Sequence, residues 1–217
     1  MRVVAVFGAG LQGTCVALGL ARLGYAVRLY DRRPKLIAGA SANQEGKLHL
    51  GFVYAADPSL ETARAMIEGA LAFAPAVEHL VGHGLDWEPH VSERFRCIVH
   101  RDSTLSVDAL RRHYAALQEL YDELVDAPAL PELGVSYLGR RPRRIWTDAS
   151  SLDGIDSPRA LAAFPTEEAS IEPNYLHGVV ERAIRDLPSI ALCLGRRVLD
   201  IEPRGDGFLV GGEAVDP

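Results

Sequence analysis

Three glycines in the stretch GAGLQG, Gly8, Gly10 and Gly13, and one acid, Asp31, are the residues whose types and spacing suggest chemistry. A glycine at the first position permits a tight turn, and one at the second removes the side chain that would keep a pyrophosphate off the backbone. One at the third lets a helix pack closely on a strand. Amides at the start of that helix, with the positive end of its dipole, then face the phosphates. An acid about 20 residues further on, at the tip of the next strand, accepts hydrogen bonds from ribose hydroxyls. Asp31 fills that place. Its charge would repel a 2′-phosphate, which disfavours NADP in spite of Arg32 and Arg33.

The elements needed to position these residues are legible around them. Val3–Phe7 is a short, wholly apolar run, the pattern of a strand buried on both faces of a parallel sheet. Val16, Leu20 and Leu23 recur at helical spacing, and Gly24 stands where a left-handed cap ends a helix. The segment 26-AVRLYD-31 alternates as a second strand ending in the acid. Strand, glycine turn, helix, strand and acid in register predict a dinucleotide-binding unit. A glycine-packed βαβ unit without a ligand has the same spacing.

Composition narrows the class. The 217 residues are 48% hydrophobic and 24% charged, which fits a globular domain or two interleaved ones. A net charge of -6 offers no broad basic field, so nucleic acid is not an expected partner; the cluster 139-GRRPRR-144 reads as a solvated loop. Cys15, Cys97 and Cys193 are scattered and odd in number, suggesting neither a disulfide framework nor a metal site. They fit a cytoplasmic location. The apolar N-terminus is broken by glycines and Gln12, unlike a secretory signal, and no apolar run reaches the roughly 20 residues of a membrane span.

The glycine fingerprint does not separate FAD from NAD, since both contain the adenosine diphosphate half. The next segment, 39-GASANQEGKLHLGFVYA-55, is small and polar and then apolar. Together GAGLQG, Asp31 and the 40-ASANQEGK-47 stretch resemble the FAD-dependent amino acid and amine oxidases of the D-amino acid oxidase (DAO) superfamily. The resemblance implies an α/β fold, a Rossmann-like FAD-binding domain with an inserted α+β substrate or cap region. It implies FAD as cofactor and a small amino acid or amine as substrate. A hydride would leave the substrate α-carbon for flavin N5, and water would hydrolyse the imine.

Carried over residue by residue, the resemblance gives Gly8, Gly10, Leu11, Gln12 and Gly13 to the pyrophosphate, and Asp31 and Arg32 to the adenosine ribose. Ser41, Glu45, Gly46 and Lys47 would line the path toward the isoalloxazine ring. Lys47 and His49 are candidates for a cation near the flavin, each with a plain structural reading beside it. Near the end, 175-YLHGVVERAIRDL-187 reads as an amphipathic helix, 190-IALCLG-195 as a strand, and 197-RVLDIEPR-204 with 206-DGFLV-210 as a strand pair turning at Gly205 and Asp206. Val198, on that strand, matches the residue whose backbone meets the adenine.

The middle has another texture. Leu60, Ala63, Ile67, Ala70, Leu71, Ala74, Val77 and Val81 mark a long helix that Pro75 would kink, and 94-RFRCIVHR-101 a strand. A second helix over 106–124 has Ser106 as its cap and a Leu110, Tyr114, Leu117, Tyr121, Leu124 core stripe; 126–134 is a Pro-rich connection. With the resemblance, these predict residues 1–85 and 169–217 as two parts of the FAD-binding domain and 86–168 as the inserted substrate region. Family members continue well past a point equivalent to 211-GGEAVDP-217, so the chain is expected to be a fragment. No nucleophile motif, no HExxH and no other metal-ligand spacing is present. An NAD-dependent dehydrogenase, and a dinucleotide-fold module with a non-catalytic binding role, are the alternatives.

Overall fold

A computed structural model describes residues 2–148, 152–211 and 213–215. Parts of the predicted substrate region (149–151) and of the terminal stretch (212, 216–217) lie outside the described residues. The chain divides into two compact units, one of residues 1–45, 79–83 and 173–217, the other of 46–78 and 84–172.

In the first unit β1 (Val3–Phe7), α1 (Leu11–Arg22) and β2 (Ala26–Asp31) follow one another as the sequence predicts. β1 and β2 are parallel, with Val3 opposite Ala26 and Phe7 opposite Tyr30. The end of α1 is closed by two reversed hydrogen bonds, Gly24 N to Ala21 O and Tyr25 N to Leu20 O, with Gly24 at φ +88°. A third parallel strand, β7 (Ile190–Leu194), lies on the other side of β2 after the amphipathic helix α4 (Pro173–Asp186), giving the order β1-β2-β7. β2 is therefore central, with Val27, Leu29 and Tyr30 buried. β1 is an edge strand. Only Val6 of its five residues is buried and Phe7 is 46% exposed, so the expectation of a strand covered on both faces is corrected.

β8 (Ile201–Arg204) and β9 (Gly207–Val210) form the expected antiparallel pair around Gly205 and Asp206, and β10 (Glu213–Val215) extends it. Val198 does not belong to this strand. Gly195 N and Arg196 N bond back to the Arg33 and Asp31 carbonyls, continuing the β2 edge, and pairing with β9 begins only at Ile201.

The second unit contains most of α2 (Glu61–Val81), α3 (Val107–Asp126) and two short antiparallel pairs. One joins β4 (Arg96–His100) to β5 (Ala160–Pro165), and the other joins β3 (Lys47–Leu48) to β6 (Ala169–Ser170). α3 starts where its cap was expected, the Ser106 hydroxyl accepting from Ala109 N at 3.1 Å. Its predicted apolar stripe is buried. Tyr114 meets Phe52, Trp146 and Phe164 edge-on, with ring centroids 5.0–5.6 Å apart. α2 runs through Pro75, but Leu60 lies before it at φ +61°. The Asp57 carboxylate accepts from Ser59 N and Thr62 N, fixing the helix start one residue later than the apolar spacing suggests.

Candidate functional site

The glycine turn is a built structure. Gly8 has φ +97°, and its amide donates to Tyr30 O at 2.8 Å. That conformation aims the Gly8 carbonyl at α1, where a Cβ on Gly13 would lie 1.8 Å from it. Gly8 and Gly13 thus require each other. Gly10 begins α1 without a side-chain cap, and no acid stands in the first turn. The Ser41 hydroxyl instead accepts from Leu11 N at 3.1 Å, and a Cβ on Gly10 would come within 3.1 Å of the same oxygen. Ser41 sits on a one-turn helix, Gly39–Ala42, held to the turn by Ile37 N donating to Ala9 O.

Asp31 closes the turn from the other side. Its Oδ2 accepts from Ala9 N and its Oδ1 from Arg33 N, both at 2.7 Å. Each carboxylate oxygen keeps a further lone pair for an outside donor. Beside it lies a cavity of about 340 Å³, whose lining includes Gly8, Tyr30, Asp31, Arg32, Arg197 and Val198. The sequence prediction of Gly8, Asp31, Arg32 and Val198 thus names four residues of one cavity, although Val198 reaches it from a non-strand segment.

These features fit an adenine dinucleotide such as FAD. Side-chain-free backbone at Gly8 and Gly10 leaves an open cradle, and the first-turn amides of Gln12 and Gly13 have no intrahelical acceptor. Ser41 keeps its own O–H as a donor, and Asp31 offers acceptors where ribose hydroxyls would stand. Gln12 and Glu45 are exposed.

Gly46, Lys47 and His49 belong to the second unit. Gly46 has a packing reason of its own, since a Cβ there would lie 2.0 Å from Ile171 O. Lys47 is exposed on β3 opposite Ser170. Around them the segment 46–52 is clamped to 168–171. Ile171 N donates to Gly46 O, and Tyr137 donates its hydroxyl proton to Leu48 O at 2.7 Å while accepting from Ala169 N at 3.0 Å. Burial raises the Tyr137 phenol, keeping it a donor. Glu168 accepts from Leu50 N at 2.6 Å, and its Oε2 lies 3.6 Å from His49 Nδ1.

Sequence reasoning missed Glu168 and Tyr137. In 165-PTEEAS-170 nothing in composition separates Glu167 from Glu168, yet their side chains are 26% and 4% exposed. The alternation of β5 continued past Pro165 is the signal that could have separated them. Cys97 is no nucleophile, since burial pushes its thiol up to about 11.

Burial also pushes the Glu168 carboxyl up, opposed by hydrogen bonds from Leu50 and Phe52 and by His49. The folded protein therefore holds this proton more tightly than the unfolded chain. The associated stability is fully present below the ordinary glutamate value of about 4.3 and is lost as pH rises through the raised one. Thermal unfolding followed across that window should show this loss in the wild type and a flatter profile in Glu168→Gln. Superimposable profiles would contradict the assignment.

Comparison with known proteins agrees with this geometry. Residues 4–216 match the family model described as FAD dependent oxidoreductase, DAO. A FAD-dependent monooxygenase, FPY4, of Fusarium mangiferae is 25% identical over 211 residues, covering 97% of this chain and 47% of that protein. An L-amino acid deaminase from Proteus vulgaris superposes with a TM-score of 0.60 at 14% identity, over 99% of this chain and 50% of that one. Glycine oxidase from Geobacillus kaustophilus gives 0.57 at 16%, over 100% and 54%. L-alpha-glycerophosphate oxidase from Mycoplasma pneumoniae, solved with FAD bound, gives 0.57 at 16%, over 96% and 48%. At these identities the superpositions establish the fold, and the chain spans about half the length of these relatives. With its Rossmann-type β1-α1-β2 turn and a family match over nearly its whole length, the chain belongs to the DAO family of FAD dependent oxidoreductases.

Proposed function

We propose that the whole protein is a FAD-dependent oxidoreductase that oxidises a C–N bond of an amino acid or amine. The observation that carries this reading is the glycine turn held between Asp31 and Ser41. The amino acid deaminase and glycine oxidase among the structural relatives support the choice of a C–N bond. Bound FAD supplies the hydride acceptor, at N5, for the carbon that bears the nitrogen.

The backbone of Gly8, Gly10, Leu11, Gln12 and Gly13 holds the pyrophosphate. Asp31 and Arg32 flank the ribose, and the Val198 backbone meets the adenine. Ser41, Glu45, Gly46 and Lys47 follow the cofactor toward its ring, with His49 beyond. Residues 1–85 and 169–217 serve the cofactor, and 86–168 form the substrate region. The location is cytoplasmic, in keeping with three free cysteines; among the described residues no helix is long and apolar enough to cross a membrane.

The test begins with colour. The purified whole protein should show flavin absorbance, which anaerobic mixing with amino acids or secondary amines should bleach. Gly10→Val should lose the flavin; stoichiometric retention would remove this turn from the site. A colourless protein stabilised by NAD and not by FAD would point to the dehydrogenase alternative.

A further inference from the structure

Glu168, 3% exposed, is the buried acid among the described residues. An ionised carboxylate in such a place needs donors around it. It has two backbone donors, Leu50 N at 2.6 Å to Oε1 and the Phe52 amide. Its Oε2 is left 3.6 Å from His49 Nδ1. That separation is an ion-pair distance, slightly beyond a hydrogen bond. Nδ1 itself is buried and has no hydrogen-bond partner, so Glu168 is the acceptor within reach. The 29% of the His49 side chain that stays exposed belongs to its remaining atoms, and the ring is braced edge-on by Tyr54 at 6.2 Å.

We propose that Glu168 and His49 form a carboxylate–imidazole pair in which Glu168 keeps the ring proton on Nδ1, leaving Nε2 as the base that deprotonates an ammonium substrate. This deepens, and rests on, the amine oxidation proposed above. An amine is protonated near neutral pH and has no lone pair to assist hydride loss from its carbon. In the step, one N–H bond of the ammonium breaks and its electron pair stays on nitrogen. The proton forms a new N–H bond at Nε2, and the resulting imidazolium is balanced by Glu168. Glu168 is a positioning residue, because it acts through His49. Cys97, Tyr114 and Tyr137 also face the carboxylate, and burial keeps all three protonated.

Glu168→Gln gives a sharp test because the Leu50 and Phe52 amides require an oxygen on their side. The Gln amide nitrogen then points at His49 and donates to Nδ1, which moves the ring proton to Nε2. Nitrogen-15 spectra of the His49 ring, recorded on the 217-residue chain without flavin, should show the Nδ1–H tautomer in wild type and the Nε2–H tautomer in Glu168→Gln. An unchanged tautomer would overturn the proposal, as would Nε2–H in wild type if the variant fails to fold.

The second measurement uses the FAD-loaded whole protein. Flavin reduction by Glu168→Gln and His49→Gln should fall roughly 100-fold at neutral pH and recover at alkaline pH, where the substrate amine is already neutral. An equal loss at every pH would mean a merely structural role and overturn the pair. If the tautomer switches but no amine bleaches the flavin, the pair stands as a structural finding and the proposed base role fails with the function.

Discussion

Gly13→Ala is expected to destabilise the protein by about 3 kcal/mol, the upper range for forcing a methyl group into filled space, and to abolish FAD retention. The added Cβ would stand 1.8 Å from the Gly8 carbonyl oxygen and 3.0 Å from its carbon. Neither is the end of a flexible side chain. To make room, Gly8 must move, and with it the Gly8 N to Tyr30 O bond and the neighbouring Ala9 N to Asp31 bond. Gly69→Ala is the control, because Gly69 also lies within a helix, α2, but its Cβ would meet nothing within 4 Å. That change should stabilise by up to about 1 kcal/mol through helix propensity alone. Urea unfolding of both variants measures the contrast, and a Gly13→Ala protein of wild-type stability would contradict the described turn.

Asp31→Ala should damage stability and affinity together. Its carboxylate accepts two backbone amides, Ala9 N and Arg33 N, at 2.7 Å each. Removing it leaves both without their acceptor, a loss of about 1–3 kcal/mol. FAD binding should weaken by roughly 100-fold or more, because charge-assisted hydrogen bonds to the ribose disappear as the turn loosens. Asp31→Asn separates the two effects. The Asn oxygen can satisfy only one amide, and its NH2 group confronts the other donor. Unfolding without flavin and calorimetric titration with FAD report each loss separately. Unchanged FAD affinity in Asp31→Ala would remove the ribose role, whatever happened to stability.

The legible parts of this protein were those determined by neighbours in sequence. The β1-α1-β2 unit, the Gly24 helix end, the Ser106 cap and the turn at Gly205 and Asp206 each depend on residues a few positions apart. Strand neighbours were not legible in the same way. That β7 joins β2 and leaves β1 at the edge is a pairing across more than 150 residues, and apolarity alone made β1 look covered. Val198 was matched by type, and its cavity includes Asp31, but its strand assignment failed because Arg196 N bonds back to Asp31 O. Glu168 was invisible because its partners, Leu50 and His49, are over 100 residues earlier, as the 118-residue separation to Leu50 shows. Leu60 carried the right apolar spacing, but Asp57 set the helix start through hydrogen bonds that hydrophobic periodicity does not register.

Asp31 and Ser41 hold the glycine turn through bonds within the protein's own backbone. The loss of chain entropy needed to shape this cradle is therefore incurred when the protein folds, and not when a dinucleotide arrives. Association at the adenosine end should then proceed without a slow conformational step, its free energy reflecting contacts made and water released, with little subtracted for ordering the loop.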